Sequence, residues 1–332
     1  MISAPANSST SRTLYVVPAS AFGIVLGLAG LSKCWRSAQS YWPIYYWVDD
    51  LMYLLTSVVW AALIFGYFYK WVKRREIALA ELAHPIQCCY IGLLPVSSML
   101  IAVWLYEWCP QVGSRIIYVC ACGQLAFSVT RFGGMLRGGR AANATTGVIY
   151  LPGVAGNFVS AIALSSIGAI DFGKLFFGAG FFTWMALESI LLQRLLIGDA
   201  LAPDLRPTMG IQLAPPVVGA VAYLAVTGGQ VDLFLYSLMG YGIVQLLILA
   251  RLGSWLAESG FKASLWAFSF GITSLALASL QAGLLSAHSW FTSAAPLFFV
   301  LANLFIGCLS ILTLRLFVTK RLFRCEIAQD DV

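Results

Sequence analysis

The chain has 332 residues, 60% of them hydrophobic and 10% charged, with a formal net charge of +6. A soluble domain is about 25% charged, so 20 Lys and Arg with 14 Asp and Glu cannot cover a water-exposed globule of this size. With a mean hydropathy of +0.84, a soluble enzyme, a nucleic-acid-binding protein and a disordered chain are excluded, and the apolar runs are too long for membrane barrel strands of about 10 residues.

Residues 1–14 (MISAPANSSTSRTL) are polar and Ser-rich and read as a flexible tail. The apolar run that follows ends in LSKCWRSAQ, with no small-residue cleavage site, so it is an uncleaved first span. Ten spans follow in order: 15–33, 44–69, 86–106, 116–136, 147–168, 175–197, 210–228, 232–252, 263–284 and 290–318. Each approaches or exceeds the ~20 residues a helix needs to cross the hydrocarbon. Short loops make consecutive spans antiparallel hairpins. The prediction is an all-α membrane protein with one domain over 15–318 and a second tail over 319–332.

Basic residues set the orientation. Arg12, Lys70, Lys73, Arg74, Arg75, Arg131, Arg137, Arg140, Arg194, Arg206, Arg251, Lys262, Arg315, Lys320, Arg321 and Arg324 fall on one side. Only Lys33, Arg36, Arg115 and Lys174 fall on the other. This bias predicts an even number of spans and two cytoplasmic termini.

The odd spans share a pattern of a helix breaker followed by small residues. They read PASAFG from Pro18 to Gly23, PVSS from Pro95, PGVAGN from Pro152 to Asn157, PPVVGA from Pro215 and GITS from Gly271. Even spans lack proline until Pro296 and are bulkier. The recurrence suggests five tandem two-helix units, with kinked odd helices lining a central pore and even helices facing lipid. Pore-lining or kink candidates are Pro18, Gly23, Pro95, Ser97, Pro152, Gly156, Asn157, Pro215, Gly219, Gly271 and Thr273. The plainer alternative is that Pro and Gly are simply common in membrane helices and that Pro18 starts its helix.

Few residues suggest chemistry. Glu188 is the only acid deep in a span, and is either a proton carrier or a hydrogen-bonded tie between helices. Asn157 either lines the pore or satisfies a carbonyl freed at Pro152. The hydroxyls of Ser20, Ser97, Ser98, Thr273 and Ser274 either face an ion or bond back to their own helices. Asp49 and Asp50, at the start of the second span, read as solvated. His84, before Pro85, reads as a helix-start element and lies across the membrane from His288, so no bis-histidine haem or metal centre is expected. The eight cysteines (34, 88, 89, 109, 120, 122, 308 and 325) form no CxxC and read as reduced fillers. No phosphate loop and no nucleophile–base pair is present, so the expectation is a protein without cofactor or covalent chemistry.

Four segments together carry a resemblance: PASAFGIVLGLAGLSKCWR from Pro18, HPIQCCYIGLLPVSSMLIA from His84, ATTGVIYLPGVAGNFVSA from Ala144 and WAFSFGITSLA from Trp266. LESILLQRL around Glu188, GIQLAPP at 210–216 and GYGIVQLLILARL at 240–252 add to it. The chain resembles, from about residue 17 to 318, the tellurite-resistance and dicarboxylate transporter family, which includes TehA-like bacterial proteins and the plant guard-cell slow anion channels. The resemblance implies ten helices in five hairpins around a quasi-five-fold pore, a homotrimer in the inner membrane, and small anions as permeants. It implies that a phenylalanine on the ninth helix plugs the pore, which falls on Phe270. Where the plant branch has proline after this residue, Gly271 stands here, so a weaker bend is expected. Long regulatory tails are absent.

The residues themselves leave anion selectivity unexplained, because no Arg or Lys is expected deep in a span. The leading reading is an anion channel or facilitator. The alternative is a proton-coupled transporter of C4-dicarboxylates, sulfite or tellurite oxyanions with Glu188 as proton site. A scaffold acting through its basic loops is a third class.

Overall fold

The computed structural model describes residues 12–43, 45–258, 260–286 and 289–327. His288 and tail residues 1–11 and 328–332 lie outside them. Nine helices among the described residues are long and apolar enough to span a membrane, and the 17-residue helix Phe22–Ala38, preceded by a turn of 3-10 helix at Ala19–Ala21, is the tenth. In chain order they are α1 (Phe22–Ala38), α2 (Trp47–Lys73), α3 (Gln87–Trp108), α4 (Pro110–Met135) and α5 (Gly147–Ser166). The second half comprises α6 (Ile170–Ile197), α7 (Arg206–Thr227), α8 (Leu233–Arg251), α9 (Ala263–Leu285) and α10 (Trp290–Val318).

Packing separates the odd helices from the even ones. Each of α1, α3, α5, α7 and α9 packs against two others of the set, α1 on α3, α3 on α5, α5 on α7, α7 on α9 and α9 on α1, closing a ring. Each even helix packs on the odd helix before it. In α3, α5, α7 and α9, 56–94% of the most apolar stretch is buried, against 22–33% in the even helices. Side chains such as Phe65, Phe182, Leu247 and Leu304 on the even helices are exposed, as a lipid-facing layer requires.

Every odd helix is irregular in its first half. α1 begins with the 3-10 turn, α3 is interrupted between Tyr90 and Leu93, and α5 contains a π turn at Leu151–Ala155. α7 is 3-10 over Arg206–Leu213 and α9 is 3-10 over Ala263–Phe268 before each becomes α-helical. Proline accounts for part of this. Pro152 lies inside the π turn, and Pro215 opens the α-helical part of α7. Pro18 is the extended residue before the first turn and starts its helix without kinking it. In α9 the change of helix type falls at Phe268–Ser269, ahead of Gly271. Gly271 serves instead as a point of close approach, since a Cβ there would lie 2.9 Å from the Leu213 side chain.

The ends of the chain were expected to be flexible through residue 14. Instead Arg12–Tyr15 (β1) pairs antiparallel with Arg324–Ile327 (β2). Four-residue strands three hundred positions apart leave no readable pattern, and a two-stranded sheet is marginal alone. The bundle brings the ends together, so both lie on one side, and the number of crossings is even. That side is called the termini side below, and the opposite one the far side. The odd helices all run from the termini side to the far side.

A short helix, Arg75–Ala83, follows α2. Its Glu81 accepts hydrogen bonds from the Ala19 amide at 2.8 Å, Tyr67 at 3.1 Å and Lys70 at 2.6 Å. Lys70, read as a loop charge, is therefore a buried ion-pair partner that helps fix the start of α1.

Candidate functional site

Two cavities lie inside the ring. The far-side cavity holds about 640 Å³ and is bordered by the second halves of all five odd helices. The termini-side cavity is smaller, about 160 Å³, and is bordered by their irregular first halves. Phe270 borders both. Its neighbours on α9, Ser269, Gly271 and Thr273, are small, and the ring is 8% exposed. Phe268 borders neither cavity and packs against Phe305 of α10, with ring centroids 6.2 Å apart and planes inclined at 57°. Of the pair, only Phe270 faces the cavities.

Of the other sequence candidates, Gly23 and Pro215 border the termini-side cavity. Pro18, Pro95, Ser97, Pro152, Gly156, Asn157, Gly219, Gly271 and Thr273 border neither. Their roles are in packing and hydrogen bonding. Ser97 and Ser98 both donate to the Leu94 carbonyl, and Thr273 donates to those of Ser269 and Phe270. Asn157 donates to Gly153 O at 2.7 Å, and the carbonyl of Pro152 is taken by Gln124 of α4 at 3.1 Å. The π turn thus leaves two carbonyls to be satisfied by side-chain amides, the solution a water-free interior requires. Gly156 makes room for Gln124, and Gly219 lets α7 approach Phe158, since a Cβ there would lie 3.2 Å from its ring. Gln124 was overlooked in the sequence, where its signal was a lone amide in an apolar even span. Of the hydroxyls, Ser20 borders the termini-side cavity and Ser274 the far-side one.

Glu188 lies on even helix α6, is buried, and borders neither cavity. Oε2 accepts from Tyr150 at 2.5 Å and Trp184 at 2.7 Å, and Oε1 from Tyr241 at 2.5 Å. Gln245 donates to the Tyr241 hydroxyl at 2.9 Å. Three helices, α5, α6 and α8, therefore meet on one carboxyl group. Tyr150 in turn borders the termini-side cavity. His84 caps the start of α3, its Nδ1 accepting from the amides of Ile86 at 3.1 Å and Gln87 at 3.2 Å.

Charges on the far side differ from expectation. The first helix runs past its expected end at residue 33 to Ala38, so Arg36 is not a loop residue, and both Lys33 and Arg36 sit in its last turns and border the far-side cavity. Asp49, expected to be solvated, is 1% exposed. It bonds Arg36 Nε at 2.6 Å and Gln39 at 2.5 Å. Asp50, 3.0 Å away, and Glu107 complete the carboxylates around Arg36.

Ring, cavities and lipid-facing layer define a helical membrane protein with two cavities inside a five-helix ring, both bordered by Phe270. Residues 16–318 match the family described as SLAC1, voltage-dependent anion channel, and the chain belongs to that family. It is 39% identical over 304 residues, 90% of each chain, to a Haemophilus influenzae protein named tellurite resistance protein TehA homolog. It is 24% identical over 294 residues to the guard cell S-type anion channel SLAC1 of Arabidopsis thaliana, covering 80% of this chain and 49% of that one. The S-type anion channel SLAH3 of the same plant is 24% identical over 337 residues, 94% of this chain and 50% of that one. The chain thus spans about half the length of these plant relatives.

Proposed function

We propose that the chain is an anion channel in which Phe270 closes a pore along the axis of the five-helix ring. The observation that carries this reading is that one side chain borders both cavities. A large ring in a neck of small residues excludes water, and a dry neck blocks ions until the ring moves.

On the termini side the helix ends favour anions. The odd helices are parallel, so five helix N-termini with partial positive charge surround the termini-side cavity. Asp204 borders that cavity but pairs with Lys262. The wall of the far-side cavity carries Lys33 and Arg36 and no carboxylate. In this reading small inorganic or organic anions pass down their gradient. A tellurite-resistance phenotype would follow from passage of the oxyanion. The termini side is cytoplasmic, the membrane is the bacterial inner membrane, and three copies assemble, each with its own pore and with lipid around the even helices. Neither cofactor nor covalent chemistry is needed.

The test is current through purified protein in planar bilayers under a chloride or nitrate gradient. The expected reversal potential follows the anion gradient. A reversal potential that follows the cation, or silence even in Phe270→Ala, overturns the reading. A proton-coupled carrier of C4-dicarboxylates, sulfite or tellurite using Glu188 has less support, because both carboxyl oxygens are engaged by three donors. Flux that requires a pH gradient and disappears in Glu188→Gln selects it.

A further inference from the structure

The far-side cavity poses an electrostatic problem for any anion. It is ringed by the C-terminal ends of five parallel helices, whose last carbonyls carry partial negative charge. Something in its wall must offset them. Arg36 is already committed to Asp49, Asp50 and Glu107. Asp50 also accepts from Trp104 at 3.1 Å, so these carboxylates are anchored among Arg36, Gln39 and Trp104 rather than lining the cavity. That cluster is net negative, but Asp50 and Glu107 are 34% and 40% exposed, and solvent screens them.

Lys33 lies nearly one turn deeper on the same helix. It borders the cavity and forms no ion pair among the described residues. A hydroxyl borders the same space. Ser274 sits one turn beyond Phe270, and its neighbours Ser269 and Thr273 spend their hydroxyls on carbonyls of α9. An ammonium and a hydroxyl from two helices form a donor set that a small anion takes.

We propose that Lys33, with the hydroxyl of Ser274, forms a binding station for a small monovalent inorganic anion in the far-side cavity, on the far side of Phe270. A liquid water occupies about 30 Å³, so a cavity of about 640 Å³ admits the anion with most of its water. The station therefore concentrates anions loosely ahead of the neck and does not strip them. Weak binding suits conduction, since an ion must leave as readily as it enters. This proposal rests on the anion-channel reading for its consequence but not for its geometry.

The experiment has two readouts on the full-length protein, for wild type, Lys33→Met and Lys33→Arg. The first is current in the Phe270→Ala background, with anions entering from the far side. Lys33→Met is expected to lower it about tenfold at ~10 mM chloride and little at ~1 M salt, where the Debye length falls to about 3 Å. Lys33→Arg should retain most of it. A structural defect would lower current equally at all concentrations. The second readout is the rise in melting temperature on replacing gluconate by nitrate or chloride, which Lys33→Met should abolish while Lys33→Arg keeps it. Ser274→Ala should weaken both effects. If wild type carries no anion current but loses its anion-dependent stabilisation in Lys33→Met, the channel reading fails and the station stands. If Lys33→Met leaves both the low-salt current and the stabilisation unchanged, the station is wrong.

Discussion

The two cavities on either side of Phe270 are built from the same five helices, yet they differ in every physical respect. The far-side cavity is wide, bordered by regular α-helix and lined by two cations. The termini-side cavity has a quarter of the volume, is bordered by irregular turns, and has Tyr150 and Trp266 in its wall with no lysine or arginine. Where the helices are regular, small residues can line an open vestibule. Where they are broken, freed backbone groups must be tied down, and the ties crowd the axis. Gln124, Asn157 and the Glu188–Tyr150 bond all belong to the crowded half. The narrow half is held rigid by hydrogen bonds, and the wide half is shaped by charge.

The sharpest way to break this division is to remove the wall. Phe270→Ala is expected to raise anion current at least tenfold, equivalent to lowering the barrier by about 1.4 kcal/mol or more. Phe270→Leu should raise it less and Phe268→Ala hardly at all, measured as single-channel current at matched protein amount. Unchanged current in Phe270→Ala, with the protein still folded, ends the gate assignment.

Loosening the crowded half comes next. Glu188→Ala leaves the Tyr150, Trp184 and Tyr241 donors unpaired. Hydrogen bonds within membranes are worth about 0.6–1.7 kcal/mol each, so a loss of about 2–5 kcal/mol is expected, read as a lower melting temperature in detergent. Glu188→Gln, which keeps a carbonyl acceptor, should lose less. A stable Glu188→Ala protein that lacks only proton-driven flux would reverse the assignment of this residue as a tie.

A labelling experiment sharpens the comparison without altering stability much. In a background lacking the exposed Cys109, Cys122 and Cys308, Ser274→Cys should react with a charged thiol reagent from the far side and Ser20→Cys from the termini side. Adding Phe270→Ala should make Ser274→Cys reactive from both sides. Equal reactivity from both sides with Phe270 in place would mean that the cavities already communicate. With reporter fusions at Gly139 and Asp171, the same reagents decide which side is cytoplasmic.

The smallest effect concerns the far-side rim. Asp232 caps α8, accepting from the amides of Phe234 at 3.0 Å and Leu235 at 3.1 Å. Donation from the Tyr223 hydroxyl, then from those amides, holds its carboxyl below the usual carboxylate range. A depressed folded-state value means that its contribution is present above the ordinary carboxylate range and fades as pH falls through the lower folded value. The melting temperature of Asp232→Asn should therefore lie slightly below wild type at pH 7, and the gap should close under strong acid. A gap that persists at all pH values would assign the effect to the amide's geometry and not to charge.

Sequence alone determined the class, the spans and the division of labour among them. Composition forced the chain into a membrane, and a hydrocarbon thickness sets helix length whatever the neighbours do, so six of the ten helices begin within three residues of their expected start. The odd–even contrast was also legible, because breakers and small residues are needed where helices approach an axis. What the sequence left open was decided by contacts between residues far apart in the chain. Asn157 meets the carbonyl of Gly153 and not an ion, while the carbonyl of Pro152 is taken by Gln124 of α4, 28 positions away. Whether Glu188 carried protons or tied helices depended on Tyr150 and Tyr241, which stand 38 and 53 positions away. Arg36 read as a loop charge because hydropathy ends a span at the first charges, while a helix continues past them when carboxylates from the next helix and the end of α3 neutralise it. Side-chain charge and polarity are local properties, but the partner that satisfies them is a property of the fold.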